Sequence, residues 1–241
     1  MAWQGQARHG EARHGVARQG VARQGLDTAD RALQRAPSGA ASTVNFLIGN
    51  QVKTVTVKIT GKAPLLMHSD RFANPIDPMT KAHKELTSKR KKTDEDHIAI
   101  ARSEYLGSCY WRKDVGFFIP GQNLDSCLVA AAKLQKLGTR FKQGVQVVED
   151  ELTLDGFAKK SPTDLWEIPD HIDCRGVKVG TAKLMRYRPI FRQWATRATI
   201  AFNDEVVNES EIKKAIADAG LMIGLGDYRP RFGRFEVEFV K

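Results

Sequence analysis

The chain has 241 residues, of which 41% are hydrophobic, a length that allows one elaborated domain or two small ones. Lys and Arg number 38 against 28 Asp and Glu, and the net charge of +10 favours polyanionic partners. No apolar run approaches the ~18 residues of a membrane span. Three scattered cysteines, Cys109, Cys127 and Cys174, indicate neither a disulfide framework nor a zinc site. We therefore expect a cytoplasmic protein without membrane contact, cofactor or metal.

The first 44 residues form a low-complexity tail. A five-residue repeat, running from Ala7-Arg8-His9-Gly10 to Ala22-Arg23-Gln24-Gly25, places a glycine at every fifth position, and few apolar residues are present. We predict disorder for residues 1–44 and one folded domain over residues 45–241. The repeat is either a neutral expansion or upstream sequence outside the true reading frame, although its arginines could add weak binding to nucleic acid.

Alternating apolar residues predict the strands of the core. Val55, Val57 and Ile59 share one face of the first strand, and Thr54 and Thr56 lie on the other. The same kind of alternation predicts core strands over 52–60, 145–154, 194–203 and 233–240.

Two helices are predicted between these strands. Apolar residues at 3.6-residue spacing indicate a helix over 123–137, capped by Asn123, and another over 208–222. Asn208 and Glu211 fit a capping box at the start of the second helix. The order βαββαβ is typical of an α+β, ferredoxin-like (RRM-like) fold, a four-stranded antiparallel sheet with both helices on one face. RRM-type proteins bind RNA on the open face of such a sheet.

Two insertions interrupt this order. Residues 68–105 are polar and contain the cationic run Lys89-Arg90-Lys91-Lys92, and we predict an inserted arm there, part helix and part mobile. Residues 156–192 form the second insertion, in which residues 177–187 are predicted as an extended hairpin.

The densest motif lies between the second helix and the last strand. Its glycines allow the backbone to approach a ligand closely, its arginines supply bidentate charge for phosphates, and its aromatic rings are suited to stacking on a base. A glycine turn whose arginines pair with surface carboxylates is the alternative. The predicted nucleic-acid-binding residues of this loop are Gly224, Gly226, Tyr228, Arg229, Arg231, Phe232, Gly233 and Arg234.

Two segments resemble the RAMP superfamily, the RNA-binding proteins of CRISPR effector complexes. Phe118-Ile119-Pro120-Gly121-Gln122-Asn123-Leu124 is similar to the family's Ile-Pro-Gly-Ser-Ser-hydrophobic segment, and residues 224–233 resemble its glycine-rich loop. The resemblance implies a modified ferredoxin-like fold over about residues 52–241, with insertions acting as thumb and web over RNA. It also implies self-association along the strand, as in the repeating backbone subunit, although a stand-alone phage or mobile-element relative fits equally.

Two further basic clusters are candidates for nucleic-acid contact. The run Lys89, Arg90, Lys91 and Lys92 is either a phosphate-contacting arm or a solvated surface compensated by the acidic residues that follow. Arg186, Arg188 and Arg192 alternate with aromatic residues, a pattern that suits a single strand.

Enzymatic signals are weak. No histidine pair has metal-ligand spacing, and no Walker motif or nucleophile elbow is present. Some CRISPR backbone subunits cleave RNA with a loop aspartate, and Asp70 and Asp77 are the comparable residues, although loop aspartates are commonly turn residues. We expect a non-enzymatic protein that binds single-stranded nucleic acid, RNA rather than DNA. The alternatives are a metal-assisted endoribonuclease, a phage recombination-type single-strand DNA-binding or annealing protein, and a protein-binding scaffold.

Overall fold

The computed structural model of this protein describes residues 52–240, and the tail predicted for residues 1–44 lies outside them. The described chain is α+β, as predicted, and its paired strands run antiparallel. Its α-helices are α1 (Pro78–Ser88), α2 (Asp94–Ser108), α3 (Gly121–Leu134), α4 (Gly138–Gly144), α5 (Pro162–Trp166) and α6 (Glu209–Asp218). Its strands are β1 (Val52–Gly61), β2 (Leu65–Leu66), β3 (Trp111–Arg112), β4 (Gly116–Pro120), β5 (Val145–Val147), β6 (Glu151–Thr153), β7 (Ile172–Val179), β8 (Ala182–Phe191), β9 (Ala195–Asn203) and β10 (Phe235–Val240). Among these helices none is long and apolar enough to cross a lipid bilayer.

Four strands form the central sheet, in the order β10-β1-β9-β5. β1 lies between its neighbours, with Ile59 opposite Val237 of β10 and opposite Thr196 of β9. Helix α3 lies in the connection from β1 to β5, and α6 lies in the connection from β9 to β10. Because β1 and β5 both run antiparallel to β9, the connection through α3 joins two parallel strands.

The prediction of one strand over 145–154 is wrong. β5 pairs with β9 in the central sheet, whereas β6 pairs with β4 in a separate small sheet. Between them, the amide of Val148 donates to the carbonyl oxygen of Thr199 at 2.9 Å. The carbonyl oxygen of Asp150 accepts a hydrogen bond from the amide of Gly121 at 2.8 Å. The first bond keeps Val148 beside β9, and the second joins the following turn to the start of α3. An alternation pattern carries no information about such a turn.

The main hydrophobic core lies between the central sheet and the two helices α3 and α6. Val57 and Ile59 of β1 are fully buried, and they belong to the same cluster as Leu128 of α3 and Ile216 of α6. In each helix the buried residues recur at the spacing of one helical face. The apolar stripes that predicted the two helices are therefore the faces that pack on the sheet.

The two core helices begin in different ways. The predicted capping box opens α6, with Asn208 Oδ1 accepting from the amide of Glu211 at 2.9 Å and Glu211 Oε2 accepting from the amide of Asn208 at 3.0 Å. The prediction that Asn123 caps α3 is wrong, because the helix begins at Gly121, behind Pro120, and no side chain of the described residues caps it. A side chain at Gly121 would overlap a backbone carbonyl of the β5–β6 connection, so a glycine is required there.

The open face of the central sheet carries threonines and charges of both signs. Lys58 lies opposite Arg197 on one side and opposite Glu238 on the other, and Glu236 forms an ion pair with Lys62 at 2.7 Å. Within residues 52–240 the aromatic residues of this sheet lie on its other face, which also carries the buried Val57. They are Phe202, Phe235 and Phe239. In this part of the chain the open face therefore lacks the aromatic platform on which RRM-type proteins stack bases.

The first insertion is a helical hairpin joined to the core. Helices α1 and α2 pack against each other, and α2 also packs on β8. Tyr105 of α2 is fully buried, and Glu104 is only 4% exposed. The Glu104 carboxylate accepts a hydrogen bond from the Arg186 guanidinium and another from the amide of Tyr187 at 3.1 Å. The arm predicted over 68–105 is thus anchored to β8 in its second half.

The second insertion contains a long β-hairpin. β7 and β8 pair along their whole length, from Ile172 opposite Pro189 to Val179 opposite Ala182. The hairpin predicted over 177–187 is confirmed, with longer strands than expected. Its base is joined to the short strand β2, which also pairs with β8.

Candidate nucleic-acid interface

The glycine-rich loop, residues 224–234, is held in place by backbone hydrogen bonds. The amide of Asp227 donates to the carbonyl oxygen of Leu66 at 2.7 Å. The amide of Gly233 donates to the carbonyl oxygen of Pro64 at 2.8 Å, and the amide of Leu225 donates to the carbonyl oxygen of Gly233 at the same distance. The loop is therefore fastened to the β2 segment at two points and closed on itself once, so its side chains project from a defined backbone.

The glycines of the loop are required by its folding. Their φ angles are 82° at Gly224, 75° at Gly226 and 70° at Gly233, a region that side chains rarely adopt. A Cβ at Gly226 would overlap the carbonyl oxygen of Leu66 and lie 2.8 Å from Cδ1 of Leu65. Close packing on β2 thus accounts for this glycine without any ligand.

Arginines of the loop are exposed and lack carboxylate partners among the described residues. Arg229, Arg231 and Arg234 are exposed, and none forms an ion pair with another residue of the described range. Arg234 Nε donates to the carbonyl oxygen of Pro230 at 2.9 Å, whereas Arg229 and Arg231 make no hydrogen bond through their guanidinium groups within residues 52–240. The alternative, in which these arginines pair with surface carboxylates, is not met in this part of the chain.

The glycine-rich loop also contacts α3. The thiol of Cys127 donates to the carbonyl oxygen of Gly224 at 3.3 Å. Burial raises the pKa of this thiol to about 12, and the positive charge of Arg229 opposes the rise. Arg229 is therefore close enough to α3 for its charge to act on the buried Cys127.

Tyr110 is joined to the segment after β2, because its hydroxyl donates to the carbonyl oxygen of His68 at 3.2 Å. Burial raises the pKa of this hydroxyl, and the side chain of Asn123 opposes the rise. Desolvation and, to a smaller degree, the charge of Arg188 lower the pKa of His68. Both effects favour the neutral imidazole.

At the base of the hairpin, the predicted arginines are engaged with carboxylates. Arg188 is 6% exposed, and its Nη1 lies 3.1 Å from Oδ2 of Asp227, although not with the angle of a hydrogen bond. Arg186 is paired with the buried Glu104, and Arg192 lies 3.9 Å from Asp170. Arg188 is thus too buried to contact a nucleic acid in this conformation, and it joins β8 to the glycine-rich loop instead.

The cationic run lies in the turn between α1 and α2. Lys89 Nζ forms an ion pair with Asp96 at 2.5 Å, and Lys92 Nζ donates to the carbonyl oxygen of Lys89 at 2.7 Å. Arg90 and Lys91 are exposed and have no ion-pair partner in the described chain. Within residues 52–240, compensation of this run by an acidic side chain is therefore seen at Lys89 alone, and a phosphate contact by the other cations stays a prediction.

The two aspartates considered for catalysis lie at helix starts. Asp77 Oδ1 accepts hydrogen bonds from the amides of Met79 at 2.8 Å and Thr80 at 3.3 Å, and so caps α1. Asp70 is exposed and begins a short 3₁₀ turn capped by Ser69. Residues 52–240 contain no group of three or more His, Cys, Asp or Glu side chains that could hold a metal ion.

Replacement of Asp77 by alanine is expected to lower the free energy of unfolding by about 1 kcal/mol, because the capping oxygen of α1 is lost. Asp77→Asn retains that oxygen and should keep the stability of the parent protein. Urea denaturation measures both. A stable Asn variant that loses a Mg²⁺-dependent RNA cleavage shown by the parent protein would instead favour the ribonuclease alternative.

Sequence patterns missed Arg175. This residue of β7 lies under the loop, with Cζ 4.5 Å from the ring centre of Phe232 and 5.2 Å from that of Tyr228. Its guanidinium also pairs with the Asp173 carboxylate, which is 7% exposed as a residue. The sequence gives one indication for Arg175, the carboxylate of Asp173 two positions earlier on the same strand. This spacing predicts a local ion pair, but it does not predict a contact with a loop far along the chain.

The fold and the site together define an α+β protein that presents unpaired arginines from a hydrogen-bonded loop within the described residues. A comparison with protein-family models gives no match to the chain, and a comparison with curated proteins gives none either.

Proposed function

We propose that this protein binds single-stranded nucleic acid, RNA in preference to DNA, with little sequence selectivity. The observation that carries the proposal is the pair of exposed guanidinium groups of Arg229 and Arg231, which lack carboxylate partners in residues 52–240. Arginines held on a fixed backbone are suited to phosphate oxygens. The net charge of +10 adds long-range attraction to a polyanion.

A modified ferredoxin-like fold is the assignment that the strand order supports. The order β10-β1-β9-β5, with α3 and α6 in the two crossover connections, corresponds to a βαββαβ unit. The α1–α2 and β7–β8 hairpins are the insertions into that unit. RAMP proteins carry insertions that act as web and thumb over RNA, and we propose the same use for these two hairpins.

Among the predicted binding residues, burial separates an exposed group from a buried one, and Arg186 and Gly226 are half-buried. Arg229, Arg231, Arg234 and Tyr228 are exposed and are proposed to contact the strand. Exposed cations of the α1–α2 turn, above all Arg90 and Lys91, would extend the path. The buried residues are proposed to hold the loop in position: Gly224, Gly233, Phe232 and Arg188.

Binding measured against salt tests this proposal. We expect single-stranded RNA to bind more tightly than single-stranded DNA or duplex RNA, with log K falling linearly with log salt by about 0.7 for each phosphate contacted. Filter binding at several salt concentrations gives both quantities. An affinity for RNA that does not change with salt concentration would contradict the proposal. A preference for single-stranded DNA would favour the recombination-type alternative.

Self-association along the strand is the second part of the proposal. If copies bind side by side, the mass of the complex should increase stepwise with RNA length. Native mass spectrometry on a series of single-stranded RNAs of increasing length measures this. A single copy bound on every RNA of the series would identify a stand-alone binder.

A further inference from the structure

A cleft lies between the β7–β8 hairpin and the glycine-rich loop. It is a groove open to solvent, with a volume of about 530 Å³. The hairpin supplies most of the wall, and the loop supplies one aromatic ring. The lining residues are Gly176, Val177, Lys178, Thr181, Lys183 and Tyr228.

Tyr228 is the unusual residue of this cleft. It is 46% exposed, and its φ of 59° lies in the left-handed region that a bulky side chain rarely occupies. Its amide donates to its neighbour Asp227 at 2.8 Å, and Asp227 in turn is fastened to β2. The loop thus exposes an aromatic ring to solvent from a backbone conformation that is unfavourable for a bulky residue. Such strain is common at binding sites.

The ring of Tyr228 is in contact with the guanidinium of Arg175, a residue of the hairpin. The Arg175 guanidinium lies 5.2 Å from the ring centre of Tyr228 and 4.5 Å from that of the buried Phe232, and the Asp173 carboxylate holds it there. The two rings are 6.1 Å apart and nearly perpendicular. Tyr228 is therefore supported from below by a residue of the hairpin, which restricts its rotation.

The other walls of the cleft carry cations and exposed backbone. Lys178 and Lys183 lie opposite each other across the hairpin, and the side chain of Lys183 covers Gly176. Both lysines are exposed and neither forms an ion pair within residues 52–240. Of the described residues that line the cleft, none carries a carboxylate. An aromatic surface flanked by two lysine ammonium groups matches a base joined to a phosphate.

We infer that this cleft holds one unstacked nucleobase of the bound strand against the ring of Tyr228, with the adjoining phosphate on Lys178 and Lys183. The inference rests on the proposed function and assigns a subsite to it. Because every base has a π face, such a subsite is tolerant of sequence. The stack differs from the arginine contacts because it involves the base and not a phosphate. It therefore contributes affinity without changing the salt dependence of binding.

Single-stranded RNAs with one 2-aminopurine at successive positions test the subsite, because the fluorescence of this base falls when it stacks. With RNAs no longer than the stretch that one copy of the parent protein binds, we expect quenching at one position. Tyr228→Asn should abolish the quenching, with binding weakened roughly 5- to 150-fold, the range for loss of one base–aromatic stack. Asparagine is chosen because it tolerates the left-handed backbone. The salt slope should not change, since tyrosine carries no charge.

Control variants separate stacking from other effects. Tyr228→Phe should keep the affinity and the quenching, and so should replacement of Phe239 by alanine, an exposed ring on β10. If Tyr228→Asn does not fold, Tyr228→Trp serves instead and should deepen the quenching. Normal affinity of a folded Asn variant, or unchanged quenching in either variant, overturns the subsite while binding through the arginines stands. A parent protein that binds no RNA overturns the proposed function and the subsite together.

Discussion

Replacement of Arg229 and Arg231 together by alanine is expected to weaken binding to single-stranded RNA by roughly 2–4 kcal/mol. Each charged hydrogen bond to a phosphate contributes ~1.5–3 kcal/mol, and neighbouring bonds are not additive. The salt slope should become flatter by about 0.7 for each phosphate that the variant no longer binds. The fold should not change, because both side chains are exposed and make no hydrogen bond or ion pair within residues 52–240. Filter binding at two or three salt concentrations measures affinity and slope.

A matched removal of charge elsewhere is the control for this variant. Lys142 of α4 and Lys213 of α6 are also exposed, and their replacement by alanine removes two positive charges away from the loop. The control variant should lose little affinity for RNA if the arginines bind phosphates directly. It should lose as much as the arginine variant if only the net charge matters. Parent-like affinity and slope in a folded Arg229→Ala/Arg231→Ala protein would remove the loop from the binding surface.

Replacement of Gly233 by alanine is expected to lower the free energy of unfolding by about 2–5 kcal/mol. A left-handed backbone costs a non-glycine residue ~1–2 kcal/mol, and displacing a close-packed neighbour costs ~1–3 kcal/mol. Gly233 has a φ of 70°, and an added Cβ would overlap the carbonyl oxygen of Leu225 and lie 2.6 Å from its carbonyl carbon. Backbone atoms cannot move aside as a flexible side chain can. Urea denaturation measures the loss as a lower midpoint.

Gly156 provides the matched control for the backbone term. Its φ is 82°, and no atom of the described chain lies within 4 Å of an added Cβ. Gly156→Ala should therefore lose only the ~1–2 kcal/mol of the left-handed conformation. If Gly233→Ala and Gly156→Ala lower the free energy of unfolding equally, the loop can open at Gly233 without cost. Its backbone would then not be fixed by the contact with Leu225.

The two experiments bear on different properties of the same loop. Replacing the arginines should weaken binding of phosphates and leave the fold intact, whereas replacing Gly233 should disturb the backbone that presents the arginines. RNA binding by Gly233→Ala should therefore also weaken, even though every cation is still present. An affinity equal to that of the parent protein would mean that the arginines act through charge alone and need no fixed positions.

Local patterns in the sequence were sufficient for most elements of the core. Alternation predicted β1, β9 and β10, since period two is imposed by any sheet with one buried face. The capping box at Asn208 and Glu211 was also predictable, because both partners lie within one turn. The division of the strand over 145–154 was not predictable, since it depends on the pairing of β6 with β4 and on the hydrogen bond between Gly121 and Asp150, which alternation does not reveal.

Which arginines are free was decided by the tertiary structure. In the sequence, Arg188 and Arg229 look alike, each in a basic segment beside aromatic residues. In the structure, Arg188 is buried against Asp227, and its neighbour Arg186 is held by Glu104 from the first insertion. Arg229 remains exposed. An ion pair needs two groups within a few ångströms, and for residues this far apart along the chain only the packing of the two insertions on the core brings them that close.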